Sequence, residues 1–423
     1  MAPITKKTGG GATRPVPDNL PDIIDPAGGT AETSFFCDDR PIILCLSHLR
    51  WDFVLQRPQH LLCRAARAYR VVYVQEPVFA LPAGEAPGMD LHCVAGKVLV
   101  ATPRLAAEHD PRKLDILQRQ QLDRLLIALA GPVAIAWFYT PMALEFAAHV
   151  PAAITVYDCM DELSMFRGAS PRLSLLERRL LKKADLVFAG GRSLFEAKRR
   201  ICGNVHLFPS SVDVTHFHQA RDSQSAQPPD QANLPRPRIG FFGVIDERID
   251  YVLLSAMATA RPDWHFIMVG PTAKIDPAHL PQHPNLHWIG KRSYDELPAY
   301  LAGWDAGIMP FALNDATRFI SPTKTPEFLA AAVPLVSTPI ADVITDWGND
   351  NLVEIADGPE AMIAALERLL KRPRAQWLAN VDERLSKQSW DMIWAGMERL
   401  IDRTAIGKSL TDRPRPLDVK RYE

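Results

Sequence analysis

Short runs that are apolar along their whole length recur through this chain, each followed by a longer stretch of helical period. In the first half they lie at 41–46 (PIILCL), 71–74 (VVYV), 133–138 (VAIAWF), 154–157 (ITVY) and 186–189 (LVFA). In the second they lie at 238–242 (RIGFF), 265–269 (HFIMV), 286–289 (LHWI), 306–309 (AGIM), 335–337 (LVS) and 352–355 (LVEI). Strands that are apolar on both faces are those of parallel sheets covered by helices on either side. The expected fold is therefore α/β, with two tandem doubly wound Rossmann-like domains. Open sheets of this kind bind ligands at the carboxyl ends of their strands, so a cleft facing both domains is expected and chemistry is sought just after each strand.

The halves are separated by 219–237 (QARDSQSAQPPDQANLPRP), which holds four prolines and one large apolar residue, Leu234, and reads as a linker. The expected organisation is a disordered segment over 1–36, a first domain over 37–218, the linker, a second domain over 238–385, a helix over 386–407 returning towards the first domain, and a disordered tail over 408–423. A formal net charge of −1 gives no global field for nucleic acid, so any basic function has to be local. Cys37, Cys45, Cys63, Cys93, Cys159 and Cys202 form no CxxC pair and read as buried thiols of a reducing compartment. The opening MAPITKKTGGGATRP lacks a signal-peptide core, so a cytoplasmic location is expected. Residues 125–144 are uncharged and of bilayer length, but Gly131-Pro132 and Thr140-Pro141 break them into a helix end, a strand and a new turn.

The segment most suggestive of chemistry is 321–338, SPTKTPEFLAAAVPLVST. Ser321 is placed to cap a helix and Pro322 to open it, with Thr323 beside them. Free amides and the positive end of a helix dipole would then face a strand end beside Lys324, an arrangement suited to a diphosphate. Glu327, three residues on, lies on the same face and suits ribose hydroxyls. The competing reading is an ordinary capped helix with a solvated Lys–Glu pair.

This segment resembles the SPxKxxEYLAxGxPVVST stretch of GT-B glycosyltransferases, in family four and its relatives that build exopolysaccharides and teichuronic acids. Further stretches resemble the family in the same order: WDFVLQRPQHL at 51–61, VYDCMDELSMF at 156–166, ADLVFAGGRSLFEAKR at 184–199, VHLFPSSVDVTHF at 205–217 and IGFFGVIDERIDYVLL at 239–254. The resemblance implies a transferase using a nucleoside-diphosphate sugar, most often UDP-linked, as substrate, with no separate cofactor and no metal. It implies a hydroxyl of a saccharide or lipid-linked saccharide as acceptor, and closure about a hinge near 210–213. On this basis the Gly243 amide approaches the diphosphate and Arg248 or Lys324 neutralises it. Gly270, Lys291 and Arg292, after the next strands, lie by base and ribose. The glycines also fit plain turns, and the two cations a solvated pair.

Three positions depart from the family pattern. Pro326 falls inside the helix, Ala332 stands where a glycine usually ends it, and Phe319 replaces the first glutamate of the E-x7-E pair that ends at Glu327. In the first half, Asp161 and Asp158 of YDCMDEL follow a strand and are candidates for the base that deprotonates the acceptor. The match to inverting relatives falls best on Asp161, while a helix cap is the alternative for either. The loop 47–58 offers His48, Trp51 and Arg57 to phosphates or acceptor; Arg57 equally suits pinning the loop. Residues 170–200 carry nine Lys or Arg against three acids, and Arg178, Arg179, Lys182 and Lys183 on one helix suit an anionic membrane surface at the inner face of the membrane. Two other functions share the architecture: a nucleotide-sugar epimerase, and a non-catalytic nucleotide-sugar-binding subunit of a polysaccharide synthesis complex. A dinucleotide-dependent dehydrogenase is disfavoured because no GxGxxG follows either first strand.

Overall fold

The computed structural model describes residues 34–82, 85–108, 110–222 and 227–411. Most of the two tails expected to be disordered lies outside these residues. Among the described residues, fourteen strands form two sheets. The first sheet comprises β1 (Ile42–Leu46), β2 (Arg70–Val74), β3 (Gly88–Val94), β4 (Val98–Arg104), β5 (Val133–Phe138), β6 (Ala152–Cys159), β7 (Leu186–Ala189) and β8 (Val205–Leu207), in the order β3-β4-β2-β1-β5-β6-β7-β8. The second comprises β9 (Arg238–Phe242), β10 (His265–Val269), β11 (Leu286–Gly290), β12 (Ala306–Met309), β13 (Leu335–Ser337) and β14 (Glu354–Ile355), in the order β11-β10-β9-β12-β13-β14. Strand β1 runs parallel to β2 and β5, and β9 runs parallel to β10 and β12. This is the doubly wound arrangement that the apolar runs imply.

The pair β3–β4 is antiparallel and has no counterpart in the sequence reading. Its three-residue turn, 95–97, is closed by the Lys97 amide donating to the Val94 carbonyl at 3.0 Å, and places Ala95 and Gly96 at φ 50° and 63°. Ala-Gly carries less turn signal than Asn-Gly, and β3 alternates exposure instead of being apolar throughout.

By their contacts, the described residues fall into two compact units. One takes its residues from Met1–Asp158, Leu175–Val187 and Trp394–Glu423, the other from Cys159–Ser174 and Phe188–Ile393. In the first unit, strands β1 and β2 are buried along their whole length. The terminal helix spans Trp390–Thr411 and so enters the tail expected to be disordered. It is fixed there by Lys408, whose ammonium reaches Asp185 at 2.6 Å and the Ala153 carbonyl at 2.9 Å. Trp394 of the same helix lies 6.2 Å from Trp137 of β5. At the other end, Phe35 and Phe36 are helical and buried, so order begins before residue 37. Residues 125–144 divide as expected between the helix Pro111–Leu129, β5 and the turn Pro141–Ala143, and no described helix is long and apolar enough to cross a membrane.

In the second unit, the segment read as a linker packs into the domain. Gln231 is fully buried, accepting from the Trp304 indole at 2.9 Å and donating to the Tyr300 carbonyl at 2.9 Å. A polar side chain whose hydrogen bonds are all met inside can replace an apolar anchor, which is why hydropathy misses it.

The loop after β1 is organised by a buried ion pair. Arg57, the first residue of the helix Arg57–Ala65, donates through Nε and Nη2 to both carboxylate oxygens of Asp158 at 2.9–3.1 Å. Neither side chain is more than 1% exposed. Arg57 therefore pins the loop, and its candidacy as a phosphate or acceptor ligand is withdrawn. Asp158 is likewise a structural anion rather than a second base. Replacing Arg57 with Met strands a carboxylate in the interior and should cost about 3–5 kcal/mol, whereas Arg57→Met with Asp158→Leu should restore most of that. Urea denaturation of the single and double variants, read at the first unfolding transition, checks this; equal losses in both would show that the pair is not the source.

Candidate functional site

The candidate residues of the second unit gather at the carboxyl ends of its parallel strands. Gly243 follows β9 at φ 149° and Gly270 follows β10 at φ 151°, a region closed to other side chains without strain. The Gly243 amide donates to the Val269 carbonyl and the Gly270 amide to the Gly290 carbonyl, both at 2.9 Å. These amides zip the strand ends together, so the expectation that the Gly243 amide faces a diphosphate is not met. The glycines instead allow close approach: a Cβ on Gly270 would stand 1.8 Å from the Gly243 carbonyl oxygen.

Above them sits the helix Lys324–Ala330, which starts two residues later than a Ser321 cap would place it, with Thr323 at the cap position making no side-chain bond to the helix. Pro326 explains the shift. It lacks an amide hydrogen, and a start at Lys324 puts it in the first turn, where amides have no intrahelical partner. Ser321 is half-buried outside the helix, close to Gly191. Ala332, at φ 59°, takes the left-handed conformation that a glycine would adopt without penalty, at a cost of about 1 kcal/mol.

Lys324 donates to Glu327 at 2.7 Å, and its ammonium lies 4.8 Å from the centre of the Phe242 ring. The pair is not the solvated one of the bland reading, because Glu327 is only 5% exposed. Burial raises the Glu327 carboxyl above its ordinary range, with Lys324 and then His216 opposing the shift. The helix is held in place by Phe328, whose ring lies 4.9 Å from Phe242 and 5.8 Å from Trp304. His216 stacks on Tyr294 with ring centres 4.0 Å apart. Neither His216 nor Tyr294 was singled out from sequence, since each is an isolated residue in a polar stretch.

A second cluster surrounds Asp161. Arg248 donates to both oxygens of Asp246 at 2.8–3.2 Å and lies 5.8 Å from the Phe166 ring; Lys274 lies 5.5 Å from the same ring. Burial pushes the Asp161 carboxyl up to about 6; Arg248 and Lys274 pull it down, and Asp246 pushes it up. Burial acts to lower the Arg248 guanidinium, but the hydrogen bonds and charge of Asp246 outweigh it. Lys274 is exposed and stands at φ 59°, a backbone strain that clusters at functional sites. Asp246 and Lys274 were missed from sequence, although Asp246 lies in the same turn as Arg248. The Arg167 amide and side chain both reach Glu247, at 3.0 and 3.4 Å.

The remaining candidates disperse. Arg292 is tied to Asp230 at 2.5 Å and to the Tyr300 hydroxyl at 2.7 Å, which makes it a packing tie and not an open cation; Lys291 is exposed. In the first unit, Trp51 is buried edge-on against Tyr73 at 4.9 Å, so it is a core residue and not a ligand platform. His48 is half-buried in the same loop. Arg178, Arg179, Lys182 and Lys183 are exposed on the helix Leu173–Lys183. Phe319, at the position of the family's first glutamate, is half-buried with the Arg318 guanidinium 5.2 Å from its ring centre.

Comparison with known proteins bears on the fold and the family. Residues 236–372 match the family described as Glycosyl transferases group 1. A Bacillus subtilis (strain 168) protein named as the teichuronic acid biosynthesis glycosyltransferase TuaH is 26% identical over 310 residues, covering 67% of this chain and 77% of the relative. Among solved structures, sucrose-phosphate synthase from Thermosynechococcus elongatus superposes with a TM-score of 0.68 at 13% identity, over 87% of this chain and 100% of that one. The trehalose-6-phosphate protein from E. coli bound with UDP-2-fluoro glucose gives 0.62 at 13% identity, over 86% and 99%. At such identities these structures show the fold, which is GT-B.

The glycine contact gives a direct test of the strand-end geometry. Gly270→Ala should destabilise the second unit by about 2 kcal/mol or more, through both the forced φ and the collision with Gly243. Gly203→Ala, with nothing within 4 Å of the new methyl, should be near neutral. Thermal unfolding of the two variants measures the contrast; similar midpoints would refute it.

Proposed function

Since the chain is a GT-B glycosyltransferase whose residues 236–372 match a Glycosyl transferases group 1 domain, we propose that it moves a sugar from a UDP-linked donor to a hydroxyl of a growing polysaccharide or lipid-linked saccharide. The observation that carries the proposal furthest is the Asp161 carboxyl, raised to about 6 beside two cations, Arg248 and Lys274. A carboxylate with that affinity for protons is a competent general base near neutrality. The acceptor proton passes to Asp161, the acceptor oxygen bonds to the anomeric carbon, and the bond from that carbon to the diphosphate breaks. Lys274, Arg248 and Lys324 stand ready to balance the charge left on the diphosphate. Side chains carry that charge without a metal ion on this reading.

A diphosphate that attracts Lys324 loosens its bond to Glu327 and frees that carboxylate for ribose hydroxyls. The uridine base is favoured by the relative bound with UDP-2-fluoro glucose, and a polysaccharide acceptor by the name of the Bacillus relative. A single attack with Asp161 as base inverts the anomeric centre.

Two measurements test this. The first is the pH profile: because Asp161 acts deprotonated, kcat/KM should fall as pH drops through about 6. Asp161→Asn should lower turnover by about 10²–10⁴ while leaving donor binding intact. Stability moves the other way. A folded pKa of about 6, raised from 3.8, favours the fold at pH below about 4 and loses that advantage as pH rises through 6. Asp161→Asn should therefore raise the unfolding midpoint at pH 8, by a free energy on the order of 2 kcal/mol. Full turnover in the variant would assign the base elsewhere.

The second is a thermal-shift titration with UDP, GDP and ADP and their sugar conjugates, without added metal. A hundredfold excess over Kd should stabilise by about 2.7 kcal/mol with the uridine series alone. Lys324→Ala and Glu327→Gln should each abolish that shift; an undiminished shift in both would remove the helix Lys324–Ala330 from the donor site.

A further inference from the structure

Large aliphatic side chains stand exposed in the middle of basic helix faces at two places in the first unit. On the helix Pro111–Leu129, Ile116 is 56% and Ile127 76% exposed, while Leu122, Leu125, Ala128 and Leu129 are buried on the opposite side. At 3.6 residues per turn, Ile116 and Ile127 fall on one stripe, with Arg112 and Arg119 along one flank and Lys113 and Arg124 along the other, all exposed. On the helix Leu173–Lys183 the pattern repeats. Leu175 is 62% exposed and falls between Arg178 and Arg179, with Lys182 one turn beyond and Lys183 at the margin. Glu177, which in sequence interrupts this basic stretch, turns inward and accepts from the Tyr157 hydroxyl at 2.8 Å.

A short intervening segment joins the two faces. Arg179 reaches Glu145 at 3.6 Å and Lys183 the Ala148 carbonyl at 3.4 Å, while His149 meets Asp123, on the Ile127 side of the first helix, at 2.6 Å. Three protruding aliphatics ringed by eight cations thus share one region of the unit, with Asp123 and Glu145 as the acids bridging it.

We propose that this face is a docking surface for an anionic lipid bilayer, with Ile116, Ile127 and Leu175 entering the headgroup boundary and Arg112, Lys113, Arg119, Arg124, Arg178, Arg179, Lys182 and Lys183 meeting the lipid phosphates. Isolated aliphatics on a water-facing surface gain nothing from folding, whereas burial in the interfacial layer removes them from water, and each nearby cation adds attraction to acidic lipid. A polyanion such as RNA would match the cations and leave the aliphatics without a partner. The bilayer matches both.

The test is co-sedimentation of the full chain at 0.1 M salt with vesicles of phosphatidylcholine, and of phosphatidylcholine with about one third phosphatidylglycerol. Binding is expected to the anionic vesicles alone. Two surface variants separate its parts: Arg119→Glu with Arg124→Glu, Arg178→Glu and Lys182→Glu should weaken partitioning at least about a hundredfold, and Ile116→Ser with Ile127→Ser and Leu175→Ser about tenfold. Circular dichroism confirms that each variant is folded. No binding to anionic vesicles overturns the proposal, as does wild-type binding by either variant. RNA binding that ignores the three serines, without vesicle binding, overturns it in favour of a nucleic-acid surface.

Discussion

The buried exchange between Arg57 and Asp158 ties the loop after β1 to the end of β6. A guanidinium and a carboxylate at no more than 1% exposure are tolerable only as a pair with its hydrogen bonds made, so the helix opening at Arg57 and the end of β6 have one mutual placement. Asp161, three residues on in the chain, belongs to the other compact unit. The two aspartates of YDCMDEL have different surroundings: Asp158 is sealed in the interior against Arg57, whereas burial pushes the Asp161 carboxyl up to about 6. Environments that separate neighbouring acids in this way are what make Asp161, and not Asp158, the candidate for chemistry.

The same economy of charge governs the second unit. Arg248 is held by Asp246 and Lys324 by Glu327, so these two cations at the strand ends already have a fixed direction. Preorganised charges need little reorganisation when charge develops on a leaving group, which is where their value for catalysis lies. The arrangement carries a stability cost, since Asp161 and Glu327 are both carboxyls that burial pushes upward. The close aromatic packing of Phe242, Trp304 and Phe328 beneath the helix Lys324–Ala330 supplies compensating apolar burial where that cost falls.

Local signals carried the reading of this chain as far as elements and no further. The uninterrupted apolar runs located the central strands because burial on both faces leaves no alternative pattern, and the SPTKTPEFL stretch located the helix that presents Lys324 and Glu327. What escaped depends on partners distant in sequence. Arg57 and Asp158 are 101 residues apart, and nothing in either neighbourhood says which acid the arginine meets. Gln231 looked like linker because its anchoring hydrogen bonds are to Tyr300 and Trp304, about seventy residues on. The glycine amides were misread for a related reason: a strand-end glycine suits a phosphate cradle and a close strand contact equally, and only the approach of Gly270 to Gly243 distinguishes them. Asp161 was legible by its place after a strand, but its affinity for protons was not, since that comes first from burial and is then adjusted by Arg248, Asp246 and Lys274 from another part of the chain.

The near-zero net charge illustrates how an average conceals an arrangement. A formal charge of −1 excluded a global polyanion binder, yet it coexists with two helices whose exposed faces carry eight cations. Acids elsewhere balance them, many held in internal pairs such as Asp158, Asp246 and Glu327. An internal pair contributes little field at the surface, because each partner cancels the other at the source. The surface potential of such a protein is thus set by where folding places its exposed charges rather than by their sum. In this chain the cations around Ile116, Ile127 and Leu175 outnumber the acids beside them, Asp123 and Glu145, which meet Arg119 and Arg179.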